Sequence, residues 1–252
     1  MSDELSNVES LQQRFLEFLK TFKDYDGRYK YEERIKQMIV NKKTSIVVDY
    51  EDLVKFDVKL FDALIEKPEE VLHAFSEAIK SVVQEFDEEY SLQVSKFIPR
   101  LNGLPVTLSL RELSSEYINK LVMIEGILVR ATPPKQKMFK AVYAHILPTG
   151  EVHEFEWPPL PSDEVADELE KPAYCPLCKE EIVSEKGRGY GRGIFRLIVE
   201  KSKYKNWQKV VLQERPEEVP AGHIPRSIEV VLTDDVVDVA RPGDRVSVIG
   251  IV

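Results

Sequence analysis

No apolar run in the 252 residues approaches the length needed to cross a bilayer. The start, Met1-Ser2-Asp3-Glu4-Leu5, is acidic and lacks the basic-then-apolar pattern of a secretory signal. Only two cysteines occur, and they sit together as Cys175 and Cys178. A secreted disulfide scaffold would spread more of them along the chain. The phosphate-loop pattern GxxxxGKS/T is missing, so no ATP site is read here. The glycines between 187 and 193 are followed by Ile194, with no Lys-Ser or Lys-Thr, and precede a strand, not a helix. Neither HExxH nor a Ser/His/Asp order is found, and the paired carboxylates lie in surface-like runs. These absences argue against a membrane protein, a disulfide scaffold and an enzyme. The expectation is a soluble, cytoplasmic, non-catalytic chain.

What is present is polarised. Apolar residues make up 43%, enough for real cores, and the net charge is -9. Lys186, Arg188, Arg192, Arg196, Lys201, Lys203, Lys205 and Lys209 follow one another with only Glu200 opposing them. Residues 151–170 are the reverse, with Glu151, Glu154, Glu156 and five further acids. Charge runs are commonly just solvated faces. The basic run also carries Phe195, Tyr204 and Trp207. Arg130, Lys135 and Lys137 lie at and just after another strand-like segment. If both edges belong to one OB-type barrel, they make a groove that tracks a phosphate backbone, with an aromatic available for stacking. The candidate nucleic-acid phosphate contacts are therefore Arg130, Lys135, Lys137, Arg196, Lys201 and Lys203.

The first third reads as a small helical bundle. Ser6-Asn7-Val8-Glu9 fits a capping box, and Leu11, Phe15, Phe18, Leu19 and Phe22 follow at helical spacing. Asp26-Gly27 ends that helix, and a second covers about Tyr31 to Met38. Ser45 to Asp49 reads as a strand. Asp57 caps a helix through Leu60, Phe61, Leu64 and Ile65. Pro68, followed by Glu69 and Glu70, starts another that turns Val71, Leu72, Phe75, Ile79, Val82, Val83 and Phe86 inward. From about Lys96 the period shortens. Strands are expected over Val106–Leu110, Leu121–Arg130, Phe195–Val199, Lys209–Gln213, Ser227–Leu232 and Arg245–Val252, with a short helix over Leu113–Lys120. Gly126 inside its strand suggests a bend or bulge. The fold class is α+β: helical bundle, OB-fold barrel and a small zinc-knuckle insertion. The boundaries are 1–95 for the bundle, 96–138 and 194–252 for the barrel, and 139–193 for the insertion.

Cys175-Pro176-Leu177-Cys178 is a knuckle whose two thiolates can grip one zinc. A redox pair and two unligated thiols are the rival readings. Leu147-Pro148-Thr149-Gly150 suits a type I turn closing a hairpin, which sets His145 opposite His153. Both imidazoles could then join the thiolates in a structural Cys2His2 site. The segment from Gln213 to Arg226 holds Pro216, Pro220 and Pro225, which stiffen it, and Gly222, which permits a sharp turn.

Its text, Gln213-Glu214-Arg215-Pro216-Glu217-Glu218-Val219-Pro220-Ala221-Gly222-His223-Ile224-Pro225-Arg226, is also specific. With Phe195-Arg196-Leu197, Trp207-Gln208-Lys209, Asp234-Asp235-Val236-Val237-Asp238 and Arg241-Pro242-Gly243-Asp244-Arg245-Val246, it resembles the amino-terminal part of archaeal minichromosome maintenance (MCM) helicases. Glu125-Gly126-Ile127-Leu128-Val129 and Phe155-Glu156-Trp157 fit as well. The resemblance implies single-stranded-DNA binding by OB-fold arginines, here Arg130 and Arg196. It implies a hexamer or double hexamer around DNA, in the cytoplasm with the nucleoid. It implies a loop, with Gln213, Glu214, Gly222, Pro225 and Arg226, that couples this tier to an ATPase domain elsewhere in the same polypeptide. It also departs from the family: zinc sites there use four cysteines, or three and one histidine, and only Cys175 and Cys178 remain. The chain reads as a piece of a longer one, stopping before the family's basic channel hairpin. Rival readings are a purely structural oligomerisation module without DNA affinity, and an RNA-associated OB protein, against which the Gln213–Arg226 run weighs.

Overall fold

A computed structural model describes residues 2–147, 149–158, 171–172, 174–177 and 194–252, with side chains from residue 10 onward. In chain order the elements are α1 (Ser2–Thr21), α2 (Lys30–Val40), β1 (Ser45–Asp49), α3 (Tyr50–Phe56), α4 (Val58–Glu66), α5 (Pro68–Phe86) and α6 (Glu88–Gln93). Then follow β2 (Ile98–Asn102), β3 (Thr107–Leu108), β4 (Leu121–Ala131), β5 (Lys135–Ile146), β6 (Val152–Trp157), β7 (Ile194–Gln213), β8 (Ser227–Thr233) and β9 (Arg245–Ile251). The class is α+β. Contacts divide the chain into two compact units. The first is Met1–Val129 with Leu212–Ile228 and Gly243–Val252; the second is Arg130–Val211 with Glu229–Pro242.

The first unit is built on aromatic packing. Phe15 of α1 stacks on Phe75 of α5 with ring centroids 4.1 Å apart, and Phe18 meets Tyr31, Phe56 and Phe75. Val71, Phe75, Ile79, Val82 and Val83 are buried on one face of α5, as their spacing predicts. Phe86 is not: it is 42% exposed at the helix end, under the Lys36 ammonium. Asp57 caps α4 by accepting from the Lys59 N–H, and Pro68 opens α5. α1 begins earlier than the capping box suggests, so Ser6 lies inside it.

Parallel strands β1 and β2 pair in the same unit, as do β3 and β4, while β4 and β9 are antiparallel. The strand expected over Val106–Leu110 shrinks to Thr107–Leu108, because Glu112 takes the Ser109 N–H into a turn. The helix expected over Leu113–Lys120 is a single 3-10 turn, Ser115–Tyr117, ended by Asn119 at φ +61°. Gly126 marks no bulge in its pairing with β9, whose register is unbroken from Leu121 to Ile127. It marks a close approach instead: a Cβ there would sit 2.6 Å from the Gln213 carbonyl oxygen and 2.8 Å from Leu212 Cγ.

A charged cluster ties α2 to β1. Asp49 accepts from Lys30 (2.9 Å), Arg34 (2.9 Å) and Asn102 (2.8 Å). Asp52, 6% exposed, accepts from the Tyr31 hydroxyl at 2.8 Å. Burial opposes ionisation of Asp49, but the bonds from Asn102 and Lys30 and the charges of Arg34 and Lys30 outweigh it, lowering its pKa from 3.8 to about 2. A depressed carboxylate stabilises the fold above its unfolded pKa and stops doing so as pH falls through its folded one. Between pH of about 4 and about 2 the protein is expected to lose about 2 kcal/mol from this group. Urea unfolding at pH of about 5 and about 2 checks it: Asp49→Asn should lose less stability over that interval than the wild type.

The second unit holds β5, β6 and β7 as an antiparallel set, with β8 alongside β7. The two strands expected at Phe195–Val199 and Lys209–Gln213 are one strand of 20 residues. Its middle stays paired, Lys205 with Lys137 and Asn206 with Gln136. β5 runs through residue 139, where the expected insertion begins, with only a register shift there.

Candidate nucleic-acid interface

Register decides which side chains share a face. Lys137 pairs with Lys205, Lys135 with Trp207, Lys140 with Lys203 and Ala144 with Arg196. On the outer side, Glu156 pairs with Val142 and Glu154 with Ala144. Directly opposed residues of an antiparallel ladder point to the same side. One face therefore carries Lys135, Lys137, Lys140, Lys203, Lys205 and Arg196, with Glu154 and Glu156 on its outer strand. From Lys135 to the position of Arg196 the row covers nine steps of β5, roughly 30 Å at about 3.3 Å per residue.

The aromatics on the basic run are mostly engaged. Trp207 is 8% exposed, with the Lys137 ammonium 3.9 Å from its ring centre. Phe195 stacks on His145 at 4.5 Å. Tyr204 alone of the three has a substantially open ring, at 42% exposure. Arg130 is exposed at the end of β4. Thr132, two residues on, bonds to Lys209, so Arg130 lies near the far end of β7 from Arg196. The two arginines bracket the row and do not meet.

A bulge re-aims part of it. Two steps along β5, from Val142 to Lys140, correspond to five along β7, from Ile198 to Lys203. Ser202 closes this excursion by donating to the Ile198 carbonyl (2.7 Å) and accepting from the Val142 N–H (3.0 Å). Lys201 then reaches Glu154. Lys203 reaches Glu156 at 3.0 Å, and Lys140 reaches the same carboxylate at 2.5 Å. Hydrogen bonds from Lys140 and then Lys203 hold Glu156 below the usual carboxylate range. Of the cations expected to contact DNA, Lys201 and Lys203 are thus ion-paired, while Arg130, Lys135 and Arg196 have no ion-pair partner among the described residues. Lys140, Glu154, Glu156 and Ser202 were not singled out from sequence. The alternation of Glu154 and Glu156 puts both on one strand face, but which lysines they meet is set by the register with β5 and β7.

The opposite face gathers metal-type donors. His145 and His153 pair directly, in the register expected from the hairpin, and Gly150 has the positive φ of +89° that the turn requires. Pro148 lies outside the described residues. The imidazole centres are 6.1 Å apart, and Cys175 Sγ is 3.9 Å from His153 Nδ1. The three donor atoms all lie within 4.8 Å of one another, and His145 and Cys175 are buried. A tetrahedral zinc with Zn–S of about 2.3 Å and Zn–N of about 2.0–2.1 Å has N···S edges of roughly 3.5 Å, so these donors fit such an ion. Cys178 lies outside the described residues.

The Gln213–Arg226 segment is clamped at its base within the first unit. Glu214, 2% exposed, takes a two-pronged bond from Arg111, Nε to Oε1 at 2.6 Å and Nη2 to Oε2 at 3.0 Å. Its N–H donates to the Arg226 carbonyl (2.9 Å), and the Arg226 N–H returns a bond to Oε2 (3.1 Å). The Arg111 bonds, against some burial and with help from Arg226, hold the Glu214 carboxyl below its ordinary range. Gly222 turns at φ +80°, and Pro225 and Ile224 are exposed beyond it, Ile224 at 87%. Gln213, half-buried, supplies the carbonyl that Gly126 accommodates. Arg111 stands 103 residues from its partner and carries no local sign of that role.

Two family profiles match. The MCM N-terminal domain covers residues 12–103 and the MCM OB domain residues 109–252. Among curated proteins, a minichromosome maintenance protein MCM of Saccharolobus solfataricus is 41% identical over 237 residues, 94% of this chain and 32% of that protein. DNA replication licensing factor Mcm2 of Drosophila melanogaster is 32% identical over 94% of this chain and 25% of its own length. Zygotic DNA replication licensing factor mcm3 of Xenopus laevis is 31% identical over 96% and 28%. The chain spans about a quarter to a third of these relatives.

Proposed function

The chain belongs to the minichromosome maintenance family, and from that premise we propose that it is the single-stranded-DNA-binding and ring-assembly part of a replicative helicase, without turnover of its own. The observation that carries the DNA half is the row of cations on one face of β5 and β7, bracketed by Arg130 and Arg196. Such a row neutralises successive phosphates without reading base identity. Tyr204, the most open aromatic of the basic run, pairs with Met138 and faces away from this row, so the row grips by charge without an aromatic platform of its own. The relatives' names, which speak of DNA replication and minichromosome maintenance, support the same reading.

The clamped loop from Gln213 to Arg226 serves coupling. Glu214 and Arg226 lock its base, Gly222 and Pro225 shape its tip, and the tip faces an ATPase domain of the same polypeptide in a hexamer or double hexamer. His145, His153, Cys175 and Cys178 hold a structural zinc that ties the β5–β6 hairpin to the knuckle. Four protein donors leave no position for a reacting water, so the metal supplies stability and not chemistry. The place of action is the cytoplasm, with the nucleoid.

The test is fluorescence anisotropy with single-stranded DNA across a salt series. Arg130→Ala/Arg196→Ala is expected to weaken binding about ten-fold or more and to flatten the log–log salt slope by about 1.4, two phosphates at about 0.7 each. An unchanged slope and affinity in the double variant would remove the DNA reading from this face. The pairing of Lys140, Lys201 and Lys203 to acids favours a second reading, an assembly module without DNA affinity. A multimer by light scattering that fails to bind DNA at low salt would select it.

A further inference from the structure

Lys140 and Lys203 stand directly opposite each other on β5 and β7. Like charges in that position repel, so something must hold them there. Glu156 does, one oxygen on each ammonium: Oε2 to Lys140 at 2.5 Å and Oε1 to Lys203 at 3.0 Å. Two ammoniums sharing the two oxygens of one anion is also how a pair of lysines holds the non-bridging oxygens of a phosphodiester. We infer that Lys140 and Lys203 form a phosphate subsite in which Glu156 is the resident anion, so that a nucleic-acid phosphate enters by displacing the Glu156 side chain.

The surroundings suit an exchange. The Glu156 side chain is 43% exposed and that of Lys203 42%, so the carboxylate can swing to water while the lysines keep their places. The Ser202-closed bulge sets Lys203 against Lys140 whether or not Glu156 is there. Two residues along β6, Glu154 holds one further cation, Lys201. Two central cations of the row are in this way held back, while Arg196 and Lys135 toward its ends are not. A lone phosphate gains little by displacing a tethered carboxylate. A polymer already anchored by the outer cations presents its next phosphate at high effective concentration and makes the exchange. The acidic strand β6 thus selects long phosphodiester chains over small anions.

This inference rests on the DNA-binding reading, and its test separates the two. Single-stranded DNA binding of the whole chain is measured across a salt series for wild type, Glu156→Gln, Glu151→Gln and Glu156→Gln/Lys140→Gln/Lys203→Gln. Glu151 is an exposed acid with no ion pair among the described residues, so its variant controls for net charge. Glu156→Gln is expected to bind about five-fold tighter at low salt and to steepen the slope by about 1.4, from two released lysines at about 0.7 each. Glu151→Gln should stay close to wild type, and the triple variant should return to wild-type affinity or below. Equal urea midpoints check that the fold is kept. If wild type binds and Glu156→Gln merely matches Glu151→Gln, the subsite is wrong and the DNA reading stands. If neither wild type nor Glu156→Gln binds, both fall together.

Discussion

Gly126→Ala is expected to destabilise the protein by about 1–3 kcal/mol, and Gly126→Val by more, to the point of poor folding. The added Cβ would lie 2.6 Å from a backbone oxygen, that of Gln213, and 2.8 Å from Leu212 Cγ. A flexible side chain can turn away from such a contact; a carbonyl in a strand cannot, except by moving the strand. Leu212 is fully buried, so it has no room to retreat. The cost has a functional side. Gln213 is where the segment proposed to couple leaves β7, and the next residue is Glu214, clamped by Arg111. Urea unfolding of the alanine variant checks the energy, and proteolysis of the 214–226 segment checks the displacement. A midpoint within about 0.5 kcal/mol of wild type would mean that the approach is looser than these distances require.

With about one zinc per chain proposed for the wild type, Cys175→Ser is expected to abolish metal binding. A serine hydroxyl is a poor zinc ligand, and the remaining donors cannot close a tetrahedron. The geometry behind this is the convergence of His145, His153 and Cys175, with His145 fixed by the Phe195 ring against it. Packing that orients an imidazole before the ion arrives reduces what ordering must cost on binding. Atomic emission on protein dialysed against zinc gives the stoichiometry. Cobalt(II) in place of zinc gives a thiolate charge-transfer band whose strength reports the number of sulfurs. His153→Ala should lose the metal as Cys175→Ser does. Full metal content in both variants, or none in the wild type, would mean that these residues are not the donor set.

The elements legible in the sequence were those with local causes. Asp57 caps α4 and Pro68 opens α5, because a cap and a fixed φ act within one turn. β1 has the bounds its residues suggest, and the His145–His153 pairing follows from a turn only a few residues away. Where local signals misled, a nearby competitor had intervened: Glu112 capturing the Ser109 N–H shortened β3.

The sequence by itself determined the α+β class, the family, the basic and acidic runs and the candidate metal donors. Periodicity, turn chemistry and motif text are all properties of neighbouring residues. The tertiary structure alone decided that Glu154 neutralises Lys201 and Glu156 neutralises Lys140 and Lys203, and that Trp207 and Phe195 are committed to packing. It also decided that Gly126 answers to a carbonyl and Glu214 to Arg111. Each of these depends on which residue of one strand or segment stands opposite which residue of another. A bulge of a few residues between Ile198 and Lys203 changes that pairing for every side chain beyond it. Nothing within the range of a local pattern encodes it, because the partners meet only once the distant segments have packed.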